Sequence, residues 1–318
     1  MKTTLILAGL ISFAISAVLG PIVIPILRKV KAGQTEREDG PESHLKKTGT
    51  PTMGAFIFLI AFALCMVWFA VKDITLLPIL LLTLAFAVVG FLDDFIKVVL
   101  KRSEGLTPWQ KMGLQIVVSA VYSILCFIND GRVFTAYVPF THNTVSLGWL
   151  GIPVFMFIII GTVNGSNFTD GVDGLESSVT AALCVFFFAV SVIAGAEGLS
   201  YPGVIMFGAL LGFLLYNVNK AKVFMGDTGS LALGGFVAAY AHALKLELYL
   251  PIIAFIYFAE VLSVIIQVLY FKATHGKRFF RMAPIHHHYE QGGWSEAKVV
   301  GVFTIVTVVL CAISLIFI

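Results

Sequence analysis

The chain has 318 residues, of which 58% are hydrophobic and only 12% charged, with 28 Phe and a formal net charge of +3. Soluble proteins carry about 25% charged residues, and half that share cannot coat a water-facing surface of this size. A soluble globular enzyme is therefore excluded, and the small net charge gives no reason to expect nucleic acid as a partner.

The charged residues gather in clusters separated by long uncharged stretches, the layout of an all-α polytopic membrane protein. A helix that crosses the hydrocarbon layer needs roughly 20 apolar residues. On that rule spans are predicted at 3–27, 52–71, 75–92, 112–128, 149–163, 176–195, 201–218, 229–244, 249–271 and 297–317, so about ten crossings put both termini on one side. The first run continues through Pro21 and Pro25 to Leu27 before it meets Arg28, Lys29 and Lys31, too long for a signal peptide and flanked like a stop-transfer helix. Basic residues set the orientation. One set of loops and helix ends holds nearly all of them, Lys46, Lys47, Lys97, Lys111, Lys272, Lys277, Arg278 and Arg281 included, while the other holds Lys2, Lys72, Arg132 and Lys245. The first set is predicted to be cytoplasmic and both termini outside. No polar segment exceeds about 20 residues, so 1–318 reads as a single integral membrane domain. Cys65, Cys126, Cys184 and Cys311 each lie in an apolar span and form no CxxC pair, which suits packing better than redox or metal chemistry.

Five of the eight aspartates, Asp93, Asp94, Asp170, Asp173 and Asp227, are predicted at the inner ends of four different spans, where a bundle could gather them in one cleft. Asp93 and Asp94 fall where the third span is expected to end. Adjacent carboxylates at a helix C-terminus are disfavoured by the helix dipole, so a positive partner is expected, Lys97 in part and a divalent cation in larger part. In the segment 164–176, Asn164, Asn167, Asp170, Asp173 and Glu176 recur at every third position, a spacing that wraps around an α-helix; with its glycines it reads as an irregular loop entering a helix. Asp173 and Glu176 also fit a structural D-x-x-E capping box. The stretch 223–230, VFMGDTGS, opens the eighth span. Asp227 and Ser230 suit a cap there, and the glycine-flanked N-terminus also suits a phosphate, with an adjacent carboxylate holding Mg2+. Phe224 offers a ring for a base or serves as an interfacial anchor.

The last inner loop carries Pro284, Ile285, His286, His287, His288, Tyr289 and Glu290. Three consecutive imidazoles point in different directions and do not form a zinc site, so with Arg278 and Arg281 nearby the cluster reads as phosphate-handling or as a basic loop on lipid headgroups. Lys46 and Lys47 lead into the second span and bring either a cation to the cleft or an ordinary inner-side flank. Within the ninth span Glu260, Ser263 and Gln267 share one helical face, and Glu260 requires a partner in the bundle.

Taken together, KKTGTPTMG, FLDDFIK, NGSNFTDGVDGL, VFMGDTGSL and PIHHHYE resemble the phospho-N-acetylmuramoyl-pentapeptide transferase family, in the family's order from Lys46 to Glu290. The resemblance implies transfer of phospho-N-acetylmuramoyl-pentapeptide from its UDP carrier to undecaprenyl phosphate, with release of UMP and a requirement for Mg2+. It implies Asp93, Asp94, Asp227, His286, His287 and His288 as the catalytic group, with Asp227 the Mg2+ ligand. Asn164, Asn167, Asp170, Asp173, Phe224, Lys47 and Lys111 are then the substrate-binding positions, Phe224 near the uracil. It further implies a homodimer among the lipids of the bacterial cytoplasmic membrane. Ala55 and Lys220 stand where many members have Gly and Pro. The alternatives are an N-acetylglucosamine-1-phosphate transferase acting on the same lipid, a cation-coupled transporter, and an intramembrane aspartyl protease read from Met225-Gly226-Asp227, against which Phe224 precedes that triplet. Whether Asp93 acts as base or as nucleophile, or the lipid phosphate attacks directly, the residues leave open.

Overall fold

A computed structural model describes residues 2–30, 49–100, 105–218 and 220–318. The chain is an α-helical bundle: α1 (Lys2–Lys29), α2 (Phe56–Ala70), α3 (Leu77–Leu100), α4 (Pro108–Asn129), α5 (Gly151–Thr169), α6 (Leu175–Ile193), α7 (Ser200–Asn217), α8 (Asp227–Ala243), α9 (Phe255–Ala273), the short α10 (Ile285–Glu290) and α11 (Glu296–Leu315). Each predicted span overlaps one of these helices. Among the described residues eight helices are long and apolar enough to cross a membrane. The other two, α2 and α8, have 15 and 17 residues. One departure from an all-helical chain lies between α4 and α5, where β1 (Thr135–Tyr137) pairs antiparallel with β2 (Thr144–Ser146), Ala136 opposite Val145.

The centre of the bundle is α8, buried from Thr228 to Ala241. Its small residues allow backbone approach on two sides. A Cβ at Gly234 would meet Val163 Cα of α5 at 2.5 Å, and one at Gly235 would meet Phe86 Cδ2 of α3 at 2.8 Å. Helices that gain nothing by hiding apolar surface from lipid associate through such close packing and through interhelical hydrogen bonds. The same device joins α1 to α7: Ser12 Oγ donates to Ile205 O at 2.8 Å and Ser16 Oγ to Ala209 O at 2.7 Å.

Three helix boundaries differ from the sequence reading by well over a turn: the span expected from residue 249 is broken, Leu250–Ile253 forming a short helix of its own before α9, and the other two shape the site. Helix α3 continues to Leu100, so Asp93 and Asp94 sit within its last two turns rather than at its end. Helix α5 continues to Thr169, so Asn164 and Asn167 are helical and only the residues from Asp170 to Gly174 form the irregular link. Gly165 is tolerated inside α5 because the backbone of Tyr257 lies against it, where a Cβ would meet Tyr257 O at 2.7 Å.

The opposite end of the bundle carries a separate polar knot. His242, near the end of α8, lies 3.4 Å from Asp130 and 2.6 Å from Glu247 and packs against the rings of Phe134 and Phe155.

Candidate functional site

The acidic end of the bundle is assembled by the C-terminal turns of α3 and α5, the N-terminal turns of α4 and α8, and the link from 170 to 174. Helix α4 starts where Thr107 and Gln110 form a reciprocal cap around Pro108, Gln110 N–H donating to Thr107 Oγ1 and Thr107 N–H to Gln110 Oε1. Leu106 N–H donates to Asp93 Oδ1 at 2.9 Å, which ties that start to α3 and places Lys111 over the site.

Asp227 lies at its centre. Its Oδ2 accepts from Lys97 Nζ and from Lys111 Nζ, each at 3.0 Å, and its Oδ1 accepts from Asn167 Nδ2 at 2.9 Å. Lys111 also donates to Asn167 Oδ1 at 3.0 Å, and Asn167 Nδ2 reaches Ser230 Oγ at 2.8 Å. Lys97 lies 2.5 Å from Asp93 Oδ2 and 3.9 Å from Asp94 Oδ1. Asn164, one turn before Asn167, donates to Gln115 Oε1 at 2.7 Å.

Asp94 has a different task. Its Oδ2 accepts from the Thr228 N–H at 2.9 Å and the Thr228 hydroxyl at 2.7 Å, and its Oδ1 accepts from Asp227 N–H at 3.2 Å. A carboxylate of α3 thus caps α8. That corrects one expectation: the first amides of α8 are taken by Asp94 rather than open to a phosphate. The expected partner Lys97 is in place, and Asp94 gains this helix N-terminus as a second one. Gly226 makes the junction possible. Its φ of +77° is a left-handed value, and a Cβ there would fall 2.6 Å from Asp94 Oδ2.

The proposed capping box of α6 is not formed. Gly174 occupies the cap position without a side-chain bond. Asp173 accepts from Ala221 N–H at 2.9 Å instead. The carboxylate of Glu176 turns inward to Ser166 Oγ at 2.5 Å, Thr180 Oγ1 at 3.0 Å and Tyr257 OH at 2.7 Å. Asp170, just beyond α5, is held well above the usual carboxylate range, by burial first and then by the negative charges of Glu176, Asp227, Asp94 and Asp173. Phe224 is half-buried and fixed by its backbone, its N–H donating to Pro51 O at 2.8 Å and its carbonyl accepting from Gly54 N–H at 2.8 Å.

Against the expectation that the imidazoles diverge, the rings of His286 and His287 lie 4.0 Å apart and, with Glu290, offer ligand atoms within 4.8 Å of one another. His286 is buried and paired with Glu260, Nδ1 to Oε1 at 3.1 Å; His287 lies 2.7 Å from Glu290; His288 Nδ1 accepts from Arg281 N–H at 3.1 Å. A Cβ at Gly171 would overlap the His286 ring, so this imidazole abuts the Asp170–Asp173 link. Lys47 lies outside the described residues.

Ligand oxygens of Asp93, Asp94 and Asp227 lie within 4.8 Å of one another. An all-carboxylate set suits Mg2+. Asp93, Asp94 and Asp227 would hold such an ion, which would add its positive charge to that of Lys97 and Lys111.

A family model described as Glycosyl transferase family 4 matches residues 76–245. The chain is similar to the phospho-N-acetylmuramoyl-pentapeptide-transferase of Clostridioides difficile, 49% identical over 315 residues, covering 99% of this chain and 98% of that protein. It is 47% identical to the Acetivibrio thermocellus protein of the same name over 96% of this chain and 92% of that one, and 47% identical to a Clostridium botulinum protein so named over 99% and 97%. The chain belongs to the phospho-N-acetylmuramoyl-pentapeptide transferase family. Membership favours the transferase reading over the N-acetylglucosamine-1-phosphate, transporter and protease alternatives.

Two members of the site in this transferase escaped the sequence reading. Gln115 follows Lys111 by one helical turn and pairs with Asn164, a signal present in the i, i+4 spacing. Gly171 had none, since only the folded His286 shows why a side chain has no room there.

Proposed function

We propose that this chain transfers phospho-N-acetylmuramoyl-pentapeptide from UDP-N-acetylmuramoyl-pentapeptide to undecaprenyl phosphate, forming lipid I and releasing UMP. The observation that carries the reading is the junction of Asp93, Asp94 and Asp227 with Lys97, Lys111 and Asn167 at one end of a membrane bundle. The obstacle in this reaction is the approach of two anions, and phosphoryl transfer is catalysed mainly by positioning and charge neutralisation. Lys97 and Lys111 supply fixed cations, and Asn164, Asn167, Asp170, Asp173, Phe224 and Lys47 are assigned to the nucleotide and sugar. Asp93, Asp94 and Asp227 would hold Mg2+, Asp227 foremost, and the ion when bound would screen the diphosphate charge.

A lipid phosphate monoester has a second pKa near 6, so around pH 7 it is mostly dianionic and needs little help from a base. Its oxygen attacks the phosphorus attached to the sugar, the new P–O bond forms, and the bridging P–O bond to UMP breaks. Asp93 is buried, one oxygen accepting from Leu106 N–H and the other facing Lys97 Nζ, an arrangement that favours this direct attack over a covalent intermediate on Asp93. The reading includes a site facing the cytoplasm, a bacterial cytoplasmic membrane location, a single domain over 1–318 and a homodimer. UMP release from purified protein tests it. Wild type should depend on both lipid phosphate and Mg2+, Asp227→Asn should lose about 100-fold or more as expected for removal of a group that stabilises developing charge, and a phospho-sugar trapped on Asp93 would overturn the direct route.

A further inference from the structure

Glu260 and His286 form a pair sealed inside the protein, 0% and 1% exposed. Glu260 lies on α9 and His286 at the start of α10. Glu260 Oε1 is 3.1 Å from His286 Nδ1, and Oε2 receives the His286 backbone N–H at 3.5 Å, so one carboxylate meets both the ring and the main chain. The carboxylate already accepts the backbone N–H through Oε2, and a proton on Nδ1 lets Oε1 accept as well, so this pairing favours the Nδ1–H tautomer. Nε2 is then the ring atom with free bonding capacity. It is fully buried and has no hydrogen-bond partner among the described residues. It points at Gly171, where a Cβ would overlap it, beside Asp170 and its acidic neighbours. A buried polar atom without a partner is uncommon in native proteins and asks for a reason.

We propose that Glu260 is a positioning residue for the transfer reaction: it fixes the tautomer and the direction of His286, so that the buried Nε2 is held against Gly171 in the Asp170–Asp173 link, which the phosphate-bearing substrate meets. The inference rests on the transferase reading above for the identity of that substrate. Carboxylates that orient a working imidazole through its second nitrogen are a recurrent device, and their loss typically costs about 10- to 100-fold.

The test combines two substitutions at Glu260 with one at His286. Glu260→Leu removes the acceptor, whereas Glu260→Gln keeps an amide oxygen that can still receive Nδ1–H. For UMP release, Glu260→Leu should lower kcat about 100-fold and Glu260→Gln about tenfold, in the range for such orienting groups, with KM for both substrates within about twofold. In a His286→Asn background the two should become equal, because a residue that acts through another has nothing left to act on. Equal losses with and without His286, or a kcat of Glu260→Leu within about twofold of wild type, would overturn the proposal. Nitrogen NMR of histidine-labelled protein needs no activity: one buried Nδ1–H resonance should vanish both in His286→Asn and in Glu260→Leu. Its persistence in either overturns the positioning role, whereas an intact resonance in a wild type that releases no UMP would fault the transferase reading alone.

Discussion

Asp227 is held from both sides, by two ammonium groups on Oδ2 and an amide on Oδ1. Removing one ammonium therefore leaves the carboxylate in place but alters the field in which a diphosphate arrives. Lys111→Met should lower UMP release by about 10- to 100-fold, the usual scale for loss of one positioned charge, while Lys111→Arg should recover only part of it, since the guanidinium fork does not reproduce the point contacts to Asp227 and Asn167. Asp170 carries a prediction about pH. Its carboxyl is raised, so its contribution to stability is full below the ordinary carboxylate range and is lost as the pH climbs through the raised value. Asp170→Asn should then melt higher than wild type at pH 9, by roughly 2 °C if about 1 kcal/mol of repulsion is relieved, and the gap should close toward pH 4. Thermal unfolding in detergent at the two pH values measures it, and the same variant should transfer more slowly.

Helix α3 meets α8 so closely that a Cβ at Gly90 would overlap the Asp227 carbonyl. Both neighbours are backbone and cannot yield, so Gly90→Ala should cost about 1–3 kcal/mol of stability and reduce transfer by shifting Asp227; unfolding and UMP assays on one preparation check both. Buried hydroxyls on α4 and α5 should behave in opposite ways. Ser123 Oγ has no partner among the described residues, so Ser123→Ala should be neutral or stabilising. Ser166 Oγ lies 2.5 Å from both Glu176 Oε1 and Ser230 O, so Ser166→Ala should cost about 1–3 kcal/mol by leaving a buried acceptor open. The helices were legible in the chain because long apolar runs dominate it, and their approximate limits followed. The ends of α3 and α5 were not, because Asp93, Lys97 and Asn167 end an apolar run without ending the backbone hydrogen bonding. The three-residue strands were too short for any alternation to show. The five acidic positions could be expected to converge, but the exchange of Asp94 for a phosphate at the α8 N-terminus is a tertiary contact that no local pattern encodes.

Over the whole molecule, the charged groups of the candidate site lie at one end of the bundle and the His242, Asp130 and Glu247 knot at the other. The positive-inside distribution predicts that the first end faces the cytoplasm. An impermeant maleimide applied to intact cells should label Asn143→Cys, in the exposed hairpin turn, and spare Lys277→Cys; the reverse pattern would invert the topology. The native cysteines are free and buried, which keeps the background low. The cap that Asp94 places on α8 has one more consequence. Sliding or twisting α3 along α8 would strip two amides of their acceptor, at about 1–2 kcal/mol for a lost cap, so these two helices form a fixed floor. Any movement that admits a substrate would then fall to the facing wall, where the histidine helix packs His286 against Gly171.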